Sequence, residues 1–198
     1  MALADRGLRL GNLLLLVWLS SFLACSGADR QTAASVSPED VMTLPAVRQA
    51  FLSPAGDYRF VISNTDNWQS EQTTGSLTQV QPGGASVMLW QRRLPQAYGP
   101  RFVVVGPQGQ VLLLDEQINV ASAYAVMLLS PTGELLAQYS FDALQRLSGV
   151  TRAEIVAQAS IGWWLGGPPT LEGDLVAVPT AGKTLRINLV TGQVDFRR

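Results

Sequence analysis

The sequence predicts a mainly β, antiparallel fold, and three observations carry that expectation. A proline, any residue, a glycine and a polar residue precede an apolar stretch in SPAGDYRFVIS (Ser53 to Ser63), GPQGQVLLL (Gly106 to Leu114) and SPTGELLAQYSF (Ser130 to Phe141). Proline suits the first central position of a tight turn, and glycine supplies the positive φ that follows. Apolar runs lead into the later copies, FVVV at Phe102 to Val105 and YAVMLL at Tyr124 to Leu129, so each copy reads as a β-hairpin. Finally, Tyr58, Phe60 and Ile62 alternate onto one face, and GGASVMLW, EGDLVAVP, GKTLRINL and GQVDF are further strand-like segments.

Taken in order, the chain opens on a short, slightly basic leader with Asp5, Arg6 and Arg9, followed by an apolar run from Leu13 to Ala24. A helix needs roughly 20 apolar residues to cross a bilayer, so this run reads as a secretory signal peptide over residues 1–24. No adjacent arginine pair precedes it, which favours the general export route. FLAC, from Phe22 to Cys25, resembles the lipobox of bacterial lipoproteins, in which the cysteine is acylated and becomes the first mature residue. Phe22 and Leu23 depart from the commonest residues of that motif. Ordinary signal-peptidase cleavage near Ser26 and Ala28 is the alternative. Since Cys25 is the only cysteine, no disulfide forms within one chain.

Residues 25–37 are small and polar and read as a flexible tether. A single β-rich domain is expected over 38–198. SPED, from Ser37 to Asp40, offers an N-cap serine, a first-turn proline and two acids ahead of Val41, Met42, Leu44 and Val47, predicting a short helix that Pro45 interrupts. The strand signal starts at Phe51. Between Phe141 and Ala159 the period changes: Asp142 is expected to cap a helix ended by Gly149, and Thr151 with Glu154 makes a capping box for a second.

At the repeated turns the chain resembles the blades of secreted β-propeller proteins. The likeness covers Phe51 to Phe141 loosely, and the copies are unevenly spaced. At about 40–45 residues per blade the mature chain has room for only four. The resemblance implies an irregular, propeller-like or sandwich-like antiparallel sheet with two or three short helices, with a barrel as the alternative. It carries over no catalytic residue, because propellers host unrelated functions.

Composition excludes more chemistry than it suggests. The 198 residues include no histidine, which removes Ser-His and Cys-His nucleophile pairs, histidine-ligated metals and histidine bases. Net charge is -1 and only 15% of residues are charged, so nothing in the overall balance draws the chain to nucleic acid or to an anionic membrane. AVPTAGKT (Ala177 to Thr184) ends like a phosphate loop, but alanine replaces the first glycine and an alternating LRINLV follows where a helix is required. It is expected to be a turn. Asn64, Asp66 and Glu71 carry oxygen ligands without the pattern of an EF-hand loop. Asp115 and Glu116, adjacent on a strand, point to opposite faces and suit a solvated edge or hairpin.

No catalytic residue, cofactor or metal site is expected. Trp68, Trp163 and Trp164, with the amides of Asn64 and Asn67, are the candidates for a binding surface, and at most one of the adjacent tryptophans should be fully in the core. Together these features predict an exported bacterial envelope or periplasmic protein, held to the membrane by a lipid at Cys25, whose β domain binds or scaffolds an envelope protein or glycan. The alternative is a carboxylate-based hydrolase of envelope polysaccharide, which needs a cleft with two carboxylates about 5–9.5 Å apart.

Overall fold

The computed structural model describes residues 44–70 and 72–197. Among these described residues, twelve strands form three antiparallel sheets, each made of four strands consecutive in sequence. Sheet one comprises β1 (Arg48–Leu52), β2 (Tyr58–Ser63), β3 (Thr73–Val80) and β4 (Ser86–Leu94). Sheet two comprises β5 (Pro100–Val105), β6 (Val111–Glu116), β7 (Val126–Leu129) and β8 (Leu135–Tyr139). Sheet three comprises β9 (Thr170–Glu172), β10 (Leu175–Thr180), β11 (Lys183–Asn188) and β12 (Val194–Arg197). Two short helices, α1 (Phe141–Ser148) and α2 (Arg152–Gln158), separate sheets two and three in the chain. The fold is therefore mainly β and antiparallel, and none of its sheets closes into a barrel.

The pattern of apolar residues explains which sheet is central. Val111 to Leu114 and Val126 to Leu129 are unbroken apolar runs because the inner strands of sheet two are covered on both faces. Val111, Leu113, Met127 and Leu129 join Phe60, Ile62, Leu77 and Trp90 of sheet one in one core. The alternate residues, Leu112, Leu114, Val126 and Leu128, meet Val176, Val178, Leu185 and Ile187 of sheet three in another. Phe141, Leu144 and Ile155 of the helices pack into this second core. Each such side chain contributes about 1.5–3 kcal/mol relative to exposure. The outer sheets, covered on one face only, keep the period of two: β3 and β11 alternate buried and half-buried residues.

The three repeated turns share one geometry. The amides of Gly56, Gly109 and Gly133 donate to the carbonyls three residues earlier, Ser53, Gly106 and Ser130, and the glycines stand at φ 79°, 85° and 83°. Their surroundings differ. A Cβ on Gly56 would meet nothing within 4 Å, whereas one on Gly109 would lie 2.8 Å from the Tyr58 ring and one on Gly133 2.9 Å from the Trp90 ring. Two turns of sheet two are thus seated under aromatic rings of sheet one, and Arg92 Nη1 adds a 2.7 Å hydrogen bond to the Gly133 carbonyl.

The helices follow their sequence signals with one shift. Thr151 and Glu154 form the capping box of α2. Ser140, not Asp142, caps α1, accepting from the Ala143 amide; Asp142 lies in the first turn, where its charge favours the helix dipole, and Gly149 closes the helix at φ 66°. The expected amino-terminal helix is corrected where it can be seen. Ser37 to Asp40 lie outside the described residues, residues 44–47 are not helical, and β1 begins at Arg48, ahead of Phe51. Pro45 cannot donate to a helical ladder, and pairing of β1 with β2 from Arg48↔Ser63 to Leu52↔Arg59 satisfies the backbone instead.

The phosphate-loop look-alike is a turn. Thr180 pairs with Lys183, and Ala181 and Gly182 between them have φ 44° and 69°, the positive pair that a tight two-residue hairpin requires. Lys183 donates its ammonium to the Ser148 carbonyl at the end of α1, where the helix dipole favours a cation.

Candidate functional site

The sequence-derived candidates fall in two separate places. Asn64, Asn67 and Trp68 occupy the loop between β2 and β3. Asn64 is buried, and its amide organises this loop from within: Oδ1 accepts from the Asp66 and Trp68 amides, while Nδ2 donates to the Ser70 and Gln72 carbonyls. Asp66 accepts from the Ser70 amide and hydroxyl. The Ser70 hydroxyl foremost, and then Asn64, hold its carboxyl below the ordinary value despite some burial. Glu71 lies outside the described residues, and the Asn64 oxygen that a cation would need already serves two backbone amides.

Asn67 and Trp68 stand at φ 56° and 64°, a region costly for a bulky residue. Two contacts hold Trp68 there: its indole N–H donates to the Pro45 carbonyl at 2.8 Å, and its ring lies 5.8 Å from that of Tyr98. Trp68 is half-buried and Asn67 is exposed. The loop therefore offers one aromatic flank and one free amide.

Trp163 and Trp164 lie in a tight turn between the bridged residues Ile161 and Leu165, not on a strand. Trp164 is buried and Trp163 is half-buried against the second core.

Behind this turn stands a group that sequence reasoning misplaced. Asp115 is not at a solvated edge: its side chain is 0% exposed, and it adopts φ 56° between the β5 and β7 neighbours of its strand. Arg101 on β5 stands opposite, with Nε 3.8 Å from Asp115 Oδ2. The same guanidinium donates to the Gln117 carbonyl at 2.6 Å and to Asn119 Oδ1 at 2.7 Å. Burial pushes the Asp115 carboxyl up to about 6, against the opposing pull of the Glu116 amide, the Arg101 charge and the Trp163 and Trp164 N–H groups. Gly162, at φ 68°, closes over the pair: a Cβ there would lie 2.5 Å from Arg101 Nε and 2.8 Å from Asp115 Oδ2. The neighbouring Glu116 carboxylate accepts from the Ser122 hydroxyl at 2.7 Å.

A carboxyl titrating near 6 has the acidity that proton transfer wants. Asp115 is nevertheless enclosed by Gly162 and the tryptophan turn, so its proton is coupled to the stability of the fold. Among the described residues, no cluster of three or more Asp, Glu, His or Cys side chains is placed to hold a metal ion. No protein-family model matches the chain, and no curated protein is significantly similar to it.

Proposed function

We propose that this is an exported envelope lipoprotein, anchored through Cys25, whose β domain binds or scaffolds an envelope component and does not catalyse. The observation that carries this reading is the cysteine directly after Ala24, at the end of the apolar run from Leu13. The Trp68 flank with Asn67 supports the binding half, since a ring face beside an amide suits a glycan or protein contact. The carboxylate-based hydrolase is the second reading, favoured by the raised pKa of Asp115 and opposed by its enclosure. Fatty-acid labelling of cells expressing the native chain and Cys25→Ser tests the anchor: label is expected only in the native chain, and equal labelling refutes it. Reducing-sugar release from envelope polysaccharide tests the domain. Sustained release abolished by Asp115→Asn would make it an enzyme.

A further inference from the structure

The outward face of sheet one carries charge of a single sign. Cross-strand partners share a face, so the registers define its rows. One row reads Arg48, Ser63, Thr74, Arg93 and another reads Leu52, Arg59, Thr78, Met88. Between them lie Ala50, Val61, Ser76 and Gln91. None of the residues in these three rows is acidic, and among the described residues none of the three arginines has an ion-pair partner. In the same row as Arg59, Leu52 and Met88 are 61% and 57% exposed. The outward face of sheet three is built differently, with Arg186 opposite Asp195 and Arg197 bonded to Asp195.

We propose that this face of sheet one rests on an anionic membrane surface, its arginines on lipid headgroups and Leu52 and Met88 at the apolar boundary. Strands lie about 4.8 Å apart, so Arg48 and Arg93 are separated by roughly 14 Å, and Arg59 lies about as far along the strands. That spread is too wide to grip one small anion and suits an extended array of charges. Three arginines beside two exposed apolar side chains match the two-part chemistry of a bilayer interface. The anchor reading adds proximity: Cys25 lies roughly 20 residues ahead of β1, within about 70–80 Å of fully extended chain. The proposal deepens the envelope reading and rests on it for its setting, while the surface chemistry stands on the sheet alone.

The test uses the mature chain with Cys25→Ser, which carries no acyl group, mixed with vesicles of phosphatidylcholine alone or with added phosphatidylglycerol and read by co-sedimentation. Binding is expected to the anionic vesicles only and to weaken with salt. At about fivefold per arginine, the combined Arg48→Gln, Arg59→Gln and Arg93→Gln chain should bind about 100-fold more weakly, and Met88→Asp should also weaken binding. The control pair Arg186→Gln and Arg197→Gln should bind as the parent does. Every substituted side chain is exposed except Arg186, which is half-buried, and circular dichroism checks that each variant is folded. Equal binding to neutral vesicles, no binding at low salt, an equal loss in the control pair, or binding to soluble polyphosphate as tight as to vesicles would each overturn the proposal. Fatty-acid labelling at Cys25 is read separately, so failure of the anchor and failure of the face are distinguishable.

Discussion

Replacing one glycine in each of two geometrically matched turns separates the cost of backbone conformation from the cost of packing. Gly56 and Gly133 share the positive φ, 79° and 83°, and the same turn hydrogen bond. An alanine at Gly56 faces open space, so only the left-handed conformation is charged against it, about 1–2 kcal/mol. At Gly133 the new methyl would stand 2.9 Å from Cγ and Cδ2 of Trp90, well inside the roughly 3.5–4.0 Å of a relaxed carbon contact. Trp90 is itself packed, 9% exposed with its ring 5.6 Å from Phe60, so the indole has little room to retreat. Overpacking adds about 1–3 kcal/mol. Gly133→Ala is therefore expected to cost about 2–5 kcal/mol in all, and for a domain of this size each kcal/mol moves Tm by about 2–4 °C. Urea unfolding followed by tryptophan fluorescence reads both variants, and Trp90 reports directly on the disturbed contact. Equal losses at the two positions would refute the seating of this turn beneath sheet one.

The Asp115 carboxyl titrates near 3.8 when unfolded and about 6 when folded, so the native state holds a proton that the unfolded chain has lost between those values. Stability should fall as pH rises through that window, by about 3 kcal/mol, and Asp115→Asn, which tolerates the same φ, should remove the slope and be the more stable form at pH 7. An unchanged pH profile of urea midpoints would contradict this. Trp68→Phe keeps a ring beside Tyr98 but loses the bond to the Pro45 carbonyl, and a loss of about 1 kcal/mol is expected from thermal melting. Thr151→Ala breaks the capping box of α2 and should cost about 1 kcal/mol in the same assay.

Local chemistry was legible in the sequence, and long-range placement was not. The Pro-x-Gly turns, the Thr151 capping box and the Thr180–Lys183 hairpin each depend on residues within five positions of one another, and all three are present as read. The helix at Ser37 to Val47 failed over its described part because β2 offers β1 a ladder that no local signal announces. Asp115 was misread for a similar reason: adjacency to Glu116 suggested an edge, yet the residue continues the fully buried run from Val111 and faces an arginine on another strand. That unbroken run was the available clue. Net charge near zero likewise concealed sheet one, because Arg48, Arg59 and Arg93 are scattered in sequence and gather only through the strand registers. Of the tryptophans, the number buried was foreseeable; their place in a tight turn was not, since Gly162 at φ 68° breaks the strand that neighbouring apolar residues suggest.

The inner strands β6 and β7 have no face of their own to show to solvent, and this sets how the molecule comes apart. The amides shared by β6 and β7 are inner-strand ladder bonds with a core on either side, so deuterium reaches them only when the whole domain opens. The outer sheets have no such shelter on their far sides, and β1, β4, β9 and β12 can fray without disturbing that ladder. Exchange protection should therefore rise inward to a maximum over Val111 to Leu114 and Val126 to Leu129, making β6 and β7 the pair on whose integrity the other strands depend.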